Sequence, residues 1–272
     1  MEDLAQLCIH TITTKPWPIE IAIEKYHAQG VRGISVWRQA LDGRDPFEIG
    51  KRIRSANMDV VSLCRGGFFP DPVPAGQQRA IDDNLRAIDQ AAELGAPLLV
   101  LVPGAVPGQS LSRSCTQIQK GIEAILPRAI ELEIKLGIEA LHPMYADSRS
   151  TINSLSHAND VCEIFNSPNL GVIVDVYHLW WERNLKAEIN RCGQAGRIFA
   201  FHICDWKTPT IDMLNDRGLM GEGCIDIAKI RKWVNDAGFN GYHEVEIFSD
   251  IYWQMDQIEF LKKIIEAYLF HC

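Results

Sequence analysis

The strongest constraint on this chain is a rhythm. Eight short apolar runs recur along 272 residues, separated by longer stretches, several with clear helical spacing. The runs are QLCIHT (6–11), VRGISVW (31–37), MDVVSLCR (58–65), APLLVLV (96–102), LGIEALH (136–142), LGVIVDV (170–176), RIFAFHI (197–203) and YHEVEIF (242–248). Between them, AIDDNLRAIDQAAELG (80–95) sets Ile81, Leu85, Ile88, Ala91 and Ala92 on one stripe and stops at Gly95. IDIAKIRKWVNDAGF (225–239) repeats the pattern with Ile227, Ile230, Trp233 and Val234, and DQIEFLKKIIEAYLF (256–270) closes the chain as an amphipathic helix. Alternating strands and helices predict parallel strands with helices packed outside. Eight such units predict a (β/α)8 TIM barrel spanning residues 1–272 as a single domain. An open Rossmann-like sheet is the alternative, but TITTKPWP follows the first strand where a glycine fingerprint for a pyrophosphate belongs.

Composition narrows the partners. Hydrophobic residues make up 47% of the chain, enough for a substantial core. A net charge of −8, with no lysine- or arginine-rich run, argues against nucleic acid as a partner. No apolar run approaches the ~20 residues of a membrane span. The opening MEDLAQLCIH lacks the basic and apolar regions of an export signal, and the eight cysteines are scattered with no CxxC pair. They read as reduced thiols of a cytoplasmic protein.

A barrel carries its chemistry at the C-terminal ends of its strands. The fifth run ends with Glu139 and His142, and the sixth holds Asp175 with His178 three residues on. The seventh gives His202 and Asp205, and the eighth gives Glu244 and Glu246. Burying an unpaired carboxylate costs several kcal/mol, so a coincidence on four adjacent strands needs a common cause. A shared cation held by Glu139, Asp175, His202 and Glu246 supplies one. Three carboxylates and an imidazole without a thiolate suit Mn²⁺ first, with Mg²⁺, Co²⁺, Fe²⁺ or Zn²⁺ as further candidates. The bland alternative is a set of core ion pairs with Arg65 or Arg217. Glu244 and Glu246 lie two apart and share the barrel interior; Glu246, nearer the rim, is the expected ligand, and Glu244 is expected to pair with a buried base one layer down.

GIEALHP, VIVDVYH, FHICDW with DRGLMGEGCIDI, and YHEVEIFS resemble the sugar phosphate isomerase/epimerase family with its xylose isomerase-like barrel, as do GISVW with Arg38 and SLCRGGFF. The resemblance covers nearly the whole chain. It implies the same four ligands, together with substrate contacts from His178 and from Arg217 in the loop after the seventh strand. Free-ketose epimerases of that family carry a substrate-binding acid six residues past the first ligand; Tyr145 stands there in this chain. A related group of lyases acting on C-glycosides of 3-oxo-sugars resembles it in having a histidine three residues after the first ligand, which makes His142 a candidate base.

The implied activity is a divalent-metal-dependent sugar isomerase or epimerase. It works by proton abstraction next to a carbonyl through an enediolate, with Glu139 and Glu246 exchanging the proton. A lyase or dehydratase acting on a 3-oxo-sugar, C-glycoside or cyclitol derivative through His142 is the alternative, and a sugar-binding barrel without turnover is a third reading. His10, Arg65 and Asp205 are further expected substrate contacts. Trp17, Trp37, Trp180, Trp181, Trp206 and Trp253 follow strands, where they suit a sugar ring, a barrel cap or a contact between copies in a homo-oligomer. The small-molecule partner is a sugar or sugar derivative.

Overall fold

The computed structural model describes residues 4–272, so the acid pair Glu2–Asp3 at the start of the chain lies outside the described residues. In chain order the elements are β1 (Leu7–His10), α1 (Ile19–Ala28), β2 (Gly33–Trp37), α2 (Pro46–Ser55), β3 (Asp59–Gly67), α3 (Pro74–Leu94), β4 (Leu98–Val102), α4 (Leu111–Glu131), β5 (Lys135–Glu139) and α5 (Leu155–Phe165). They continue with β6 (Leu170–Asp175), α6 (Val176–Leu179), α7 (Leu185–Gln194), β7 (Ile198–Ile203), β8 (Asp205–Trp206), β9 (Arg217–Gly218), α8 (Ile227–Asp236), β10 (His243–Val245), α9 (Asp250–Trp253) and α10 (Gln257–His271).

Eight of these strands close into a barrel in the order β1-β10-β7-β6-β5-β4-β3-β2. Every neighbouring pair is parallel. The eight apolar runs therefore become the eight barrel staves of a TIM barrel, flanked by helices. β8 and β9 form a separate antiparallel pair that joins Trp206 to Arg217 and Asp205 to Gly218. No apolar run marked it, because two residues per strand are too few to show a period.

Side chains alternate across each stave. Leu99 and Leu101 of β4 belong to the large core shared with the helices, while Leu98 and Val100 join Cys64, Ile173 and Ala200 in a smaller cluster. Helix ends follow local chemistry. Gly95 ends α3 with φ +81°, a left-handed position glycine reaches without a Cβ penalty. Pro74 opens α3 six residues before the periodic stretch at 80–95, because PAGQQR carries no stripe of its own. Ser110 caps α4, Asp226 caps α8 and Asp256 caps α10 with side-chain oxygens that accept backbone N–H bonds.

Registers bring the strand-end groups level. Asp175 pairs with His202 across β6 and β7, and Glu244 pairs with His202 across β10 and β7. Glu246 lies one residue past the last ladder position of β10, its N–H donating to the Ile203 carbonyl at 3.2 Å. The glycines after Arg65 serve a tight turn. Gly67, at φ +100°, lies so close to the Val102 carbonyl that a Cβ there would sit 1.9 Å from its oxygen. Phe69 turns into the core, leaving Phe68 beneath the Arg65 guanidinium, 4.1 Å from the ring centre.

Candidate metal centre

Glu139, Asp175, His202 and Glu246 converge at the C-terminal end of the barrel. One donor atom from each lies within 4.8 Å of all the others, and all four residues are buried. His202 Nδ1 is 2.9 Å from Glu139 Oε1. Arg217 bridges two of the carboxylates, with Nη1 2.7 Å from Glu246 Oε2 and 3.6 Å from Asp175 Oδ2. Its Nη2 reaches His178 Nε2 at 3.3 Å.

The electrostatics are uneven around the ring. Burial raises the Asp175 carboxyl, Arg217 pulls it back, and Glu139 and Glu246 push it up again, to about 7. Burial opposes the charge on Glu246 too, but His10 and Arg217 outweigh it and hold this carboxyl well below the usual range. Burial and the Arg217 charge drive the His178 imidazole down, so it is neutral. Arginine only donates, so His178 Nε2 accepts from Arg217 and the ring proton sits on Nδ1.

Several buried polar atoms here have no hydrogen-bond partner among the described residues: Asp175 Oδ2, His178 Nδ1, His202 Nε2 and Arg217 Nε. Native interiors leave few such atoms, and four in one cluster of acceptors and donors fit a bound ligand. The donor set, oxygen and nitrogen without sulfur, fits a divalent cation. Glu139, Asp175, His202 and Glu246 are the residues that would hold it.

One layer down, one oxygen of Glu244 gathers three partners. Its Oε2 accepts from Ser35 Oγ at 2.5 Å and from Ser62 Oγ at 3.2 Å, and lies 3.1 Å from His10 Nε2. The other His10 nitrogen, Nδ1, is 3.1 Å from Glu246 Oε1. Burial works against charge on this imidazole, but Cys64, Glu246 and Glu244 outweigh it and raise it well above its ordinary value. His10 is thus completely buried between two glutamates and has no face for substrate; its expected role as a substrate contact gives way to that of a strut beneath Glu246.

Two further expectations change. Asp205 accepts from the backbone N–H groups of Trp206, Gly221 and Ile225, so its carboxylate pins the β8 strand and the turn after β9 and is not aimed at the cluster. His142 uses Nδ1 to accept from the Met144 N–H at 3.2 Å, which caps a short turn and leaves the neutral ring its proton on Nε2. Its ring lies against Trp181 and Trp206. In this geometry the lone pair is engaged, so a base role for His142 requires the Met144 bond to open.

Arg217 is 3% exposed and locked in the β9 strand, where its N–H donates to the Phe248 carbonyl. It is neither a surface ion pair nor part of a flap. The segment that covers the site is 207–216, just before it. Leu214 of this segment joins Trp37, Arg65, Tyr145, Arg149 and His178 around a cavity of about 40 Å³ above the cluster. The hydroxyls of Tyr145 and Tyr177 both donate to the Met213 carbonyl, from the loop after β5 and from α6. Tyr177 stands between Asp175 and His178 in VDVYH, which is the signal in the sequence that could have drawn attention to it.

A closed parallel barrel with a carboxylate–imidazole cluster at its C-terminal mouth defines the class. The chain belongs to the xylose isomerase-like TIM barrel family, whose model matches residues 23–264. It is 42% identical to a solved structure, protein SMc04130 from Sinorhizobium meliloti 1021, with a TM-score of 0.96 over 99% of both chains. The inosose isomerase of Halalkalibacterium halodurans is 22% identical over 72% of this chain and 68% of its own. A structure of the IOLI protein with a bound zinc atom superposes with a TM-score of 0.84 at 20% identity, covering 97% of this chain and 96% of its own. Among the described residues, no helix is long and apolar enough to cross a membrane.

Proposed function

We propose that this protein is a divalent-cation-dependent isomerase or epimerase of a sugar or related polyhydroxylated carbonyl compound. The observation that carries the reading is the ring of Glu139, Asp175, His202 and Glu246, with donor atoms within 4.8 Å of one another and orphaned buried atoms among them. The naming of curated relatives as inosose isomerases and of a structural neighbour with bound zinc supports it. When bound, a divalent cation acts as a Lewis acid on a carbonyl and its neighbouring hydroxyl, making the adjacent C–H more acidic.

The chain's own residues do the rest. Glu139 on β5 and Glu246 beyond β10 stand within the ring on different staves, and we assign to them the removal and return of a proton on the substrate carbon. Arg217 holds one Glu246 oxygen, His10 Nδ1 lies 3.1 Å from the other while also meeting the Trp37 indole N–H at 3.2 Å, and His202 lies 2.9 Å from one oxygen of Glu139. His178 Nδ1–H and Arg217 Nε–H are buried donors without partners, suited to substrate oxygens. Arg65 supplies a further cation at the cavity wall. A cavity of about 40 Å³ holds only a few water positions, so a sugar enters only when the 207–216 segment lifts.

Two measurements test the reading. Mn²⁺ added to chelator-treated protein should raise its melting temperature, by the equivalent of about 2.7 kcal/mol at a hundredfold excess over the dissociation constant. Asp175→Asn should abolish that shift, and a folded wild type that ignores every divalent cation would sink the metal site. Turnover of a responsive substrate in D₂O should leave deuterium on the reacting carbon. Unlabelled product would exclude proton exchange by the two glutamates.

A further inference from the structure

Outside the barrel, α4 and α5 bring a cysteine and a histidine together. Cys115 Sγ lies 3.9 Å from His157 Nε2 and 3.5 Å from Thr151 Oγ1. Both side chains are partly exposed, so solvent and small solutes reach the pair. The other thiols are placed differently. Cys8, Cys64, Cys162, Cys192 and Cys204 are buried, Cys224 is exposed, and Cys272 is partly exposed with its thiol pushed up by burial.

The thiolate is the nucleophilic form of cysteine, and an imidazole that can take its proton and remain beside it as a cation favours that form. The hydrogen bond to His157 lowers the Cys115 thiol, with Thr151 adding to it and burial opposing. The same contact raises the His157 imidazole against the effect of burial, and the Asp160 carboxylate on the same helix adds to the rise. Burial and Asp205 move the exposed Cys224 the other way.

We propose that Cys115 and His157 form a reactive thiolate–imidazolium pair, a site of covalent modification by peroxide. The thiolate sulfur attacks one oxygen of hydrogen peroxide and the O–O bond breaks. Sulfur is oxidised by two electrons to the sulfenic acid, and the departing hydroxide takes the His157 proton and leaves as water. Thr151, beside the sulfur, belongs to the loop that carries Tyr145 and Arg149 on the cavity wall, and its N–H donates to the Gly104 carbonyl. The modified residue therefore lies on the outer side of that wall.

The test is a rate comparison within one molecule. Full-length protein is pulsed at pH 7 with limiting iodoacetamide, and separately with hydrogen peroxide and a sulfenic-acid trap. Each cysteine is then quantified by peptide mass spectrometry. Cys115 should react about tenfold faster than the more exposed Cys224, the ratio expected when a thiol moves from a small to a substantial thiolate fraction. His157→Gln should erase that advantage and leave Cys224 unchanged. A Cys115 no faster than Cys224, or one indifferent to His157→Gln, overturns the proposal. A pH series on the wild type probes the same pair without any variant: the labelling of Cys115 should rise at lower pH than that of Cys224, and the reverse order overturns it equally.

Discussion

Glu244 and Glu246 are two residues apart, face the same barrel interior and share one histidine, yet they sit in opposite conditions. Around Glu244 one oxygen gathers three partners: Ser35 and Ser62 donate to it, and His10 meets it from the side. Around Glu246 the partners are charged, and the neighbouring Asp175, His178, His202 and Arg217 each keep a buried polar atom unpaired. A buried carboxylate oxygen held by three partners is a structural element. A buried carboxylate among unmatched donors and acceptors belongs to a site waiting for a ligand. Two residues of strand, one layer of barrel, separate the two.

The largest test of this contrast swaps the two glutamates' phenotypes. Glu246→Gln keeps the size of the side chain and loses the base, so turnover should fall at least ~10²-fold, the usual cost of an acid–base residue. The variant should still fold cooperatively. Glu244→Ala leaves His10 facing one carboxylate instead of two, so its main cost should be stability, about 3–5 kcal/mol for breaking a buried pair. Urea denaturation of metal-free protein measures the second effect and steady-state turnover the first. If Glu244→Ala were as stable as wild type, or Glu246→Gln as active, the distinction between the two layers would collapse.

His243 extends the comparison to the outer face of the same strand. Its Nδ1 lies 2.9 Å from the Tyr268 hydroxyl, and burial, with Arg231 adding to it, holds the imidazole down at about 4. Below its ordinary value of 6.5 the unfolded chain takes up a proton that the folded chain refuses. Stability present at neutral pH should therefore be lost as pH falls from about 6.5 through about 4, on the order of 3 kcal/mol in all. His243→Phe should flatten the slope in that window while the wild type keeps it. An unchanged slope would mean that the acid loss originates in the polar interior instead of at this outer contact.

These contrasts explain what could be seen in the sequence alone. The staves were legible because each run is short, rich in apolar residues and followed by a longer stretch, and their order followed from the alternation with helices. That Glu139, Asp175, His202 and Glu246 gather in one place was legible from strand-end position, since parallel staves carry equivalent ends to the same rim. What stayed hidden has no period. Arg217 reaches the ring from a two-residue strand, the Asp205 carboxylate is consumed by backbone N–H groups up to twenty residues ahead, and His10 is hemmed in from two layers at once. Each depends on a side chain meeting a distant backbone or charge, and composition does not encode such a meeting. His142 shows the same limit from the other side: its spacing suggested a base, and the turn it caps uses up the lone pair.

The smallest expected effect lies at the cover of the site, where the inner layers have no counterpart. Tyr145 and Tyr177 hold the Met213 carbonyl from two directions, and together they fasten the 207–216 segment over the cavity. Each bond is one neutral hydrogen bond, so Tyr145→Phe should cost only about 1 kcal/mol of global stability. Its effect should instead be local. Ile211 and Met213 are exposed at the crest of the segment, so loosening one clasp should speed limited proteolysis there while cleavage elsewhere stays slow. Tyr145→Phe with Tyr177→Phe should speed it further than either change alone, because both act on one carbonyl. Saturating substrate or product analogue should slow cleavage in the wild type if the segment closes over the ligand. A segment cut at the same rate in all four proteins would show that the two hydroxyls do not govern access, and would leave the barrel mouth gated by something other than this clasp.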